Sequence, residues 1–117
     1  MLSEAKGEFK VMGVRSSKDK KYNSFWKHWH NTRTQQHKRA RMIFTDKNTP
    51  YWDTMKEMTY TQVRSISTLS PSAIMIVDST CFIFSYEEEF TCIQITSTPI
   101  AKSFDSFFES LWSMAKP

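Results

Sequence analysis

Polar and apolar residues alternate from Glu8 and then give way to Val11-Met12-Gly13-Val14. That pattern predicts a strand with one face more buried than the other. Arg15 to Lys21 is polar and basic, which predicts a loop. From Tyr22 to Gln36, Phe25 and Trp29 form one stripe four residues apart, flanked by Trp26, His30 and Arg33. Such spacing predicts an amphipathic helix that lays an aromatic face on a sheet. Arg39 to Phe44 alternates and then turns apolar, a second strand, and Asp46 to Pro50 is a turn cluster. Trp52 to Met58 suits a helical turn or two, and Thr61 to Ser67 a weaker strand.

The second half is more sharply patterned. Ala73 to Val77 is continuously apolar, as a central strand buried on both faces is. Asp78-Ser79-Thr80 turns the chain back into Cys81-Phe82-Ile83-Phe84, so the pair predicts a hairpin. Thr91 to Ile95 is a further strand. Ile100, Phe104, Phe107, Phe108, Leu111, Trp112 and Ala115 keep one helical stripe for four turns, with Thr98 as the predicted N-cap and Pro99 at the first helical position. The order β-α-β-α-β-β-β-β-α predicts one α/β domain over residues 1–117, a mixed sheet flanked by helices.

Composition narrows the function. A chain of 117 residues with nine Phe, four Trp and four Tyr buries a core without disulfides or a metal. Two glycines exclude a Gly-rich phosphate loop. Met1 to Lys10 has no apolar signal core, and no apolar run reaches the roughly 20 residues of a membrane span, so a cytoplasmic address is expected. Cys81 and Cys92 lie in apolar runs and are expected to be buried, unpaired thiols. Charge is split: residues 1–50 hold 12 Lys/Arg and four Asp/Glu, residues 51–117 four and eight, or +8 and −4. A basic half suits a polyanion, a solvated helix face, or an acidic partner surface.

Catalytic patterns are weak. His28 and His30 point to different sides of one helix and cannot share a metal, and His37 follows in the same basic stretch. Glu87-Glu88-Glu89 is a charge run. Asp46 and Asp78 each follow an apolar strand, where open α/β sheets bind ligands and where turn aspartates are also common.

The succession of Glu8–Val14, Tyr22–Gln36 and Arg39–Asp46 resembles half of a phospholipase D-like domain, and Ile74–Ser85 resembles the signature hairpin of that superfamily. An active member carries H-x-K-x-x-x-x-D there. With Asp78 as the Asp, the His falls at 71 and the Lys at 73, where this chain has Pro71 and Ala73. The closer resemblance is to the C-terminal effector-binding region of TrmB-like archaeal transcriptional regulators, a phospholipase D-like domain without the catalytic motif. Its ending is matched by Ile100-Ala101 and by Phe107-Phe108-Glu109-Ser110-Leu111-Trp112.

The resemblance implies a non-enzymatic domain without a cofactor, binding a small-molecule effector such as a sugar and forming a homodimer. DNA contact is then expected only through an absent or separate winged helix, since none precedes Glu8. Strand-end geometry nominates Arg15, Ser16, Asp46, Ser72, Asp78 and Ser85 as ligand-binding residues. The alternative is a nucleic-acid-binding domain that uses Lys27, Arg33, Lys38, Arg39 and Arg41, with Trp26 and Trp29 stacking on bases; it requires the tryptophans to be exposed.

Overall fold

A computed structural model describes residues 5–15, 20–67, 72–85 and 91–117. Its elements follow the predicted order: β1 (Phe9–Val14), α1 (Lys20–Gln35), β2 (Ala40–Phe44), α2 (Pro50–Glu57), β3 (Thr61–Ser65), β4 (Ser72–Val77), β5 (Thr80–Ser85), β6 (Thr91–Thr96) and α3 (Thr98–Met114). The sheet order is β3-β2-β1-β4-β5-β6. β1, β2 and β3 are parallel, while β4, β5 and β6 join antiparallel.

Parallel neighbours need crossovers, and β1-α1-β2 and β2-α2-β3 step the same way along the sheet. Crossovers share one hand, so α1 and α2 cover the same face. Beneath them lies a core of Phe9, Val11, Met42, Phe44, Met75 and Phe84 with Trp29, Trp52 and Met55. The opposite face packs Met12, Ile43, Ile76 and Cys81 under Ala101 and Phe108 of α3. β4 is therefore buried from both sides, as its unbroken apolar run predicts.

Gly13 explains why β1 stops alternating. Its φ of 73° is open to glycine at little strain, and the register with β2 slips by one residue between Met12 and Val14. The bulge turns Val14 onto the same face as Val11.

Three sequence expectations are corrected. The buried stripe of α1 is not built on Phe25, which is 56% exposed. It runs through Trp26, Trp29, His30 and Arg33, and Trp29 meets Phe9 edge-on at 5.1 Å. Cys92 is exposed while Cys81 is buried, because β6 is an edge strand that no helix among the described residues covers. The N-cap of α3 is Ser97, not Thr98. Ser97 is extended and its hydroxyl accepts from Ile100 N–H, while the Thr98 hydroxyl donates to Ser79 Oγ.

Candidate functional site

The antiparallel turn at β4 sorts the six ligand-binding candidates to two ends of the sheet. Arg15 follows β1 and Asp46 follows β2, at the ends where those strands finish. Ser72 opens β4 and pairs with Ser85, the last residue of β5. These four share one end. Ser16 lies outside the described residues.

Asp78 is at the opposite end, which corrects its grouping with the others. β4 runs against β1, so its C-terminal end meets the start of β1. There the Asp78 carboxylate accepts from the backbone N–H groups of Lys6 (3.0 Å) and Gly7 (2.8 Å). A Cβ at Gly7 would lie 2.8 Å from that carboxylate. Asp78 sits at φ 53° in the two-residue loop and ties the chain entry to the hairpin. Asp46 instead makes a local turn, its carboxylate accepting from Asn48 N–H at 2.8 Å.

A pocket opens beside the first end, between α1, α2 and the sheet. Val11, Met42, Ala73 and Met75 line it from the strands, Trp26, His30 and Tyr51 from the helices, and Arg15 stands at the strand end. Ala73, a small residue in an otherwise bulky β4, is one of the lining residues. Of the lining residues, only Arg15 is among the six ligand-binding residues nominated by sequence. A small residue within the apolar run of β4 was the available signal, and it has no meaning until the neighbouring strand is known.

His30 and Arg33 are the buried polar residues of this face, 2% and 0% exposed. Arg33 Nε donates to His30 Nδ1 at 3.1 Å. Its two Nη groups donate to the carbonyls of Lys38 (2.7 Å) and Tyr60 (3.1 Å) and to Thr61 Oγ1 (2.6 Å). The guanidinium thereby ties the end of α1 to the start of β3. His37 at φ 58° completes the helix end, with Lys38 N–H on Arg33 O and His37 N–H on Thr34 O, a Schellman pattern. Burial, then the neighbouring Arg33, holds the His30 imidazole down to about 3 and hence neutral. Burial also lowers Arg33 to about 10, still charged at neutral pH.

The basic candidates for nucleic acid separate as well. Lys27 and Arg39 are exposed and Lys38 is half-buried. Arg33 is committed internally, which corrects its expected place on a binding surface. Arg41 stacks over Phe108 and Trp112 at 5.2 Å and bonds Glu8 and Glu109. Lys10 pairs with Asp105 and Glu109. Part of the basic first half is thus matched inside the molecule by the acidic last helix. Trp29 is buried, and Trp26 is half-buried with its ring edge-on to Phe84 at 5.1 Å. Both face the sheet, so the base-stacking arrangement that the alternative requires is not present.

Taken together, the described residues form a mixed α/β domain whose six-stranded sheet is covered by two helices on one face and one on the other. No helix among the described residues is long and apolar enough to cross a membrane. No family model matches this sequence, and no curated protein does. A solved structure is similar: TrmBL2, described as an archaeal chromatin protein with a novel mode of DNA binding. The likeness has a TM-score of 0.70 and 15% identity, and it covers 98% of this chain and 46% of that one. The chain thus spans about half the length of TrmBL2 and shares its fold over that half.

Proposed function

We propose that this chain is a non-catalytic effector-binding and dimerisation domain of the kind found in TrmB-type transcriptional regulators. The observation that carries the proposal is the pocket at the ends of β1 and β4, closed over by α1 and α2 with Arg15 beside it. Three features support it. The fold is that of a TrmB-like protein over nearly the whole chain. Pro71 and Ala73 stand where a phospholipase D-like enzyme needs its nucleophile and its phosphate-holding lysine. Apolar side chains are exposed on α3 and β6, with Phe107 at 54% and Ile93 at 52%, and β6 is an uncharged edge strand of the type that pairs with a second copy. Effector binding in such a domain biases the arrangement of two copies, and DNA is contacted by a separate segment.

Thermal unfolding in the presence of metabolite classes tests the proposal. A ligand at 100 times its Kd raises stability by about 2.7 kcal/mol. No shift with apolar acids, amides, sugars, nucleotides or phosphates sinks it. Light scattering at micromolar concentration tests the dimer, and a monomer removes that half of the proposal.

A second reading, direct nucleic-acid binding, has exposed Lys27 and Arg39 in its favour, together with the DNA binding ascribed to TrmBL2. It predicts affinity that falls steeply between 50 and 200 mM salt, on the order of tenfold per few phosphate contacts.

A further inference from the structure

Taking the chain as a dimerising domain, as proposed above, we infer that two copies join β6 to β6, antiparallel, about a two-fold axis at Gln94, so that their sheets continue as one.

The two edges of the sheet, β3 and β6, are finished differently. β3 carries Arg64, whose guanidinium lies 4.4 Å over the centre of the Trp112 ring. The end of the chain returns to it, and Ser65 and Lys116 exchange backbone hydrogen bonds at 2.7 and 2.9 Å. Charge and a covering segment are what keep an edge from pairing. β6 has neither among the described residues. Thr91-Cys92-Ile93-Gln94-Ile95-Thr96 bears no charge, and every residue but the half-buried Ile95 is exposed. An uncharged edge of this kind is a template for another strand.

The ladder fixes which groups point outward. Ser97 N–H donates to Ser79 O, one step beyond the pairing of Thr96 with Thr80. Antiparallel pairs alternate between those that exchange hydrogen bonds and those that do not. Thr91, Ile93 and Ile95 therefore bond to β5, and Cys92, Gln94 and Thr96 turn their N–H and C=O groups away from it. An antiparallel second copy presents the same three. With the axis at Gln94, that residue faces its own copy, Cys92 faces the partner's Thr96, and Ile93 faces the partner's Ile95. β6 reads nearly alike in both directions from Gln94, an Ile on each side and a small residue beyond, so like meets like. The isoleucines fall at the non-bonded positions, where opposed side chains approach closest. They lie on the α3 side of the sheet, with Cys81, and Ile93 gains cover for a side chain that is 52% exposed. The Gln94 amide offers both a donor and an acceptor to its copy. Moving the partner by two residues sets Ile95 against Thr91 and loses the match. The absence of charge and this symmetry favour a second copy over an unrelated strand.

Sedimentation velocity at micromolar concentrations reads the dimer, and a short bifunctional thiol reagent reads its register. A Cys92→Ser background leaves only Cys81, which is buried. In that background Gln94→Cys sets two Cα atoms about 5.5 Å apart across the axis and should give a covalent dimer. Thr91→Cys sets them roughly 20 Å apart and should give none. Gln94→Pro removes an outward N–H, leaves the bonds to β5 in place, and should weaken the dimer at least tenfold. Should that variant fail to fold, Gln94→Lys, which sets two like charges at the axis, carries the same test. A dimer that tolerates both substitutions and is not linked through Gln94→Cys overturns the β6 pairing and leaves dimerisation standing through another surface. Linkage through Thr91→Cys but not Gln94→Cys overturns the axis. A parent that stays monomeric overturns the pairing and the dimer together.

Discussion

Arg33 and Arg41 sit on opposite faces of one sheet and are neutralised by different means. Arg33, under α1, is fully buried and spends its donors on two backbone carbonyls, a hydroxyl and a neutral imidazole. No carboxylate among the described residues pairs with it. Arg41, under α3, lies at the margin of its core, with Glu8 and Glu109 around it and two aromatic rings beneath. The first face joins chain segments by fixed dipoles in a dry interior. The second joins them by charges that water still reaches. One lesson is that the basic character of the first fifty residues is two phenomena, an internal strut and an ion-pair seam, and only the remainder is a surface property.

The largest expected difference between the faces is at the arginines. Arg33→Met leaves the Lys38 carbonyl without its side-chain donor and strips Thr61 Oγ1 and the Tyr60 carbonyl of theirs, Tyr60 keeping only Ala40 N–H, and should destabilise by about 3–5 kcal/mol in urea unfolding. Arg41→Met keeps its contact with the rings and should lose about 1–2 kcal/mol. Equal losses would erase the distinction.

Acid should act on the two faces in sequence. The unfolded chain protonates His30 near pH 6.5, whereas the folded chain resists until about 3. Stability from this group is complete above pH 6.5 and is lost as pH falls towards 3, by a few kcal/mol at most. The hydrogen bond from Arg41, then that from Lys10, holds Glu109 down to about 2 against an ordinary 4.5. Its contribution is present above pH 4.5 and is lost as pH falls through 2. Because that carboxylate is 43% exposed, it amounts to no more than about 1 kcal/mol. Imidazole ¹⁵N shifts of a neutral His30 at pH 5 would confirm the order, and a charged ring there would reverse it.

Packing gives the next contrast. Ala101→Leu, on the tight α3 face, should cost about 1–3 kcal/mol through overpacking. Ala73→Leu grows into existing space and should cost less than Ala101→Leu in the same assay. The smallest effect is that of salt: raising ionic strength should weaken the Lys10–Asp105–Glu109–Arg41 seam by under about 1 kcal/mol and leave the Arg33 strut unchanged. A double-mutant cycle at Arg41 and Glu109, repeated at two salt concentrations, measures it.

Much of this architecture is legible along the chain. The last helix, the unbroken run of β4 and the Asp78 turn each appear where their spacing predicts, although Ile100 and Phe107 of the helical stripe are exposed while Phe104, Phe108, Leu111, Trp112 and Ala115 pack on the sheet. The orientation of α1 is not legible in that way, because aromatic residues occupy both Phe25 and Trp26. Docking of Trp29 on Phe9 and the anchoring of Arg33 to β3 select the second stripe. Nor does an apolar strand followed by an Asp say which end of the sheet receives that Asp. The direction of β4 against β1 places Asp78 away from Arg15, Asp46, Ser72 and Ser85, and the pocket forms where Ala73 of β4 meets Val11 and Val14 of β1 and the helices above them.

What the sequence alone determined is therefore the order, kind and approximate limits of the elements, since periodicity, turn chemistry and capping act between residues a few positions apart. What only the tertiary structure decided is the neighbourhood of each polar group: Arg33 in the dry interior, Arg41 in an ion-pair seam, Asp78 in a clamp, His30 in the wall of a pocket. Desolvation and pairing are set by atoms from distant segments, and no local pattern carries that information.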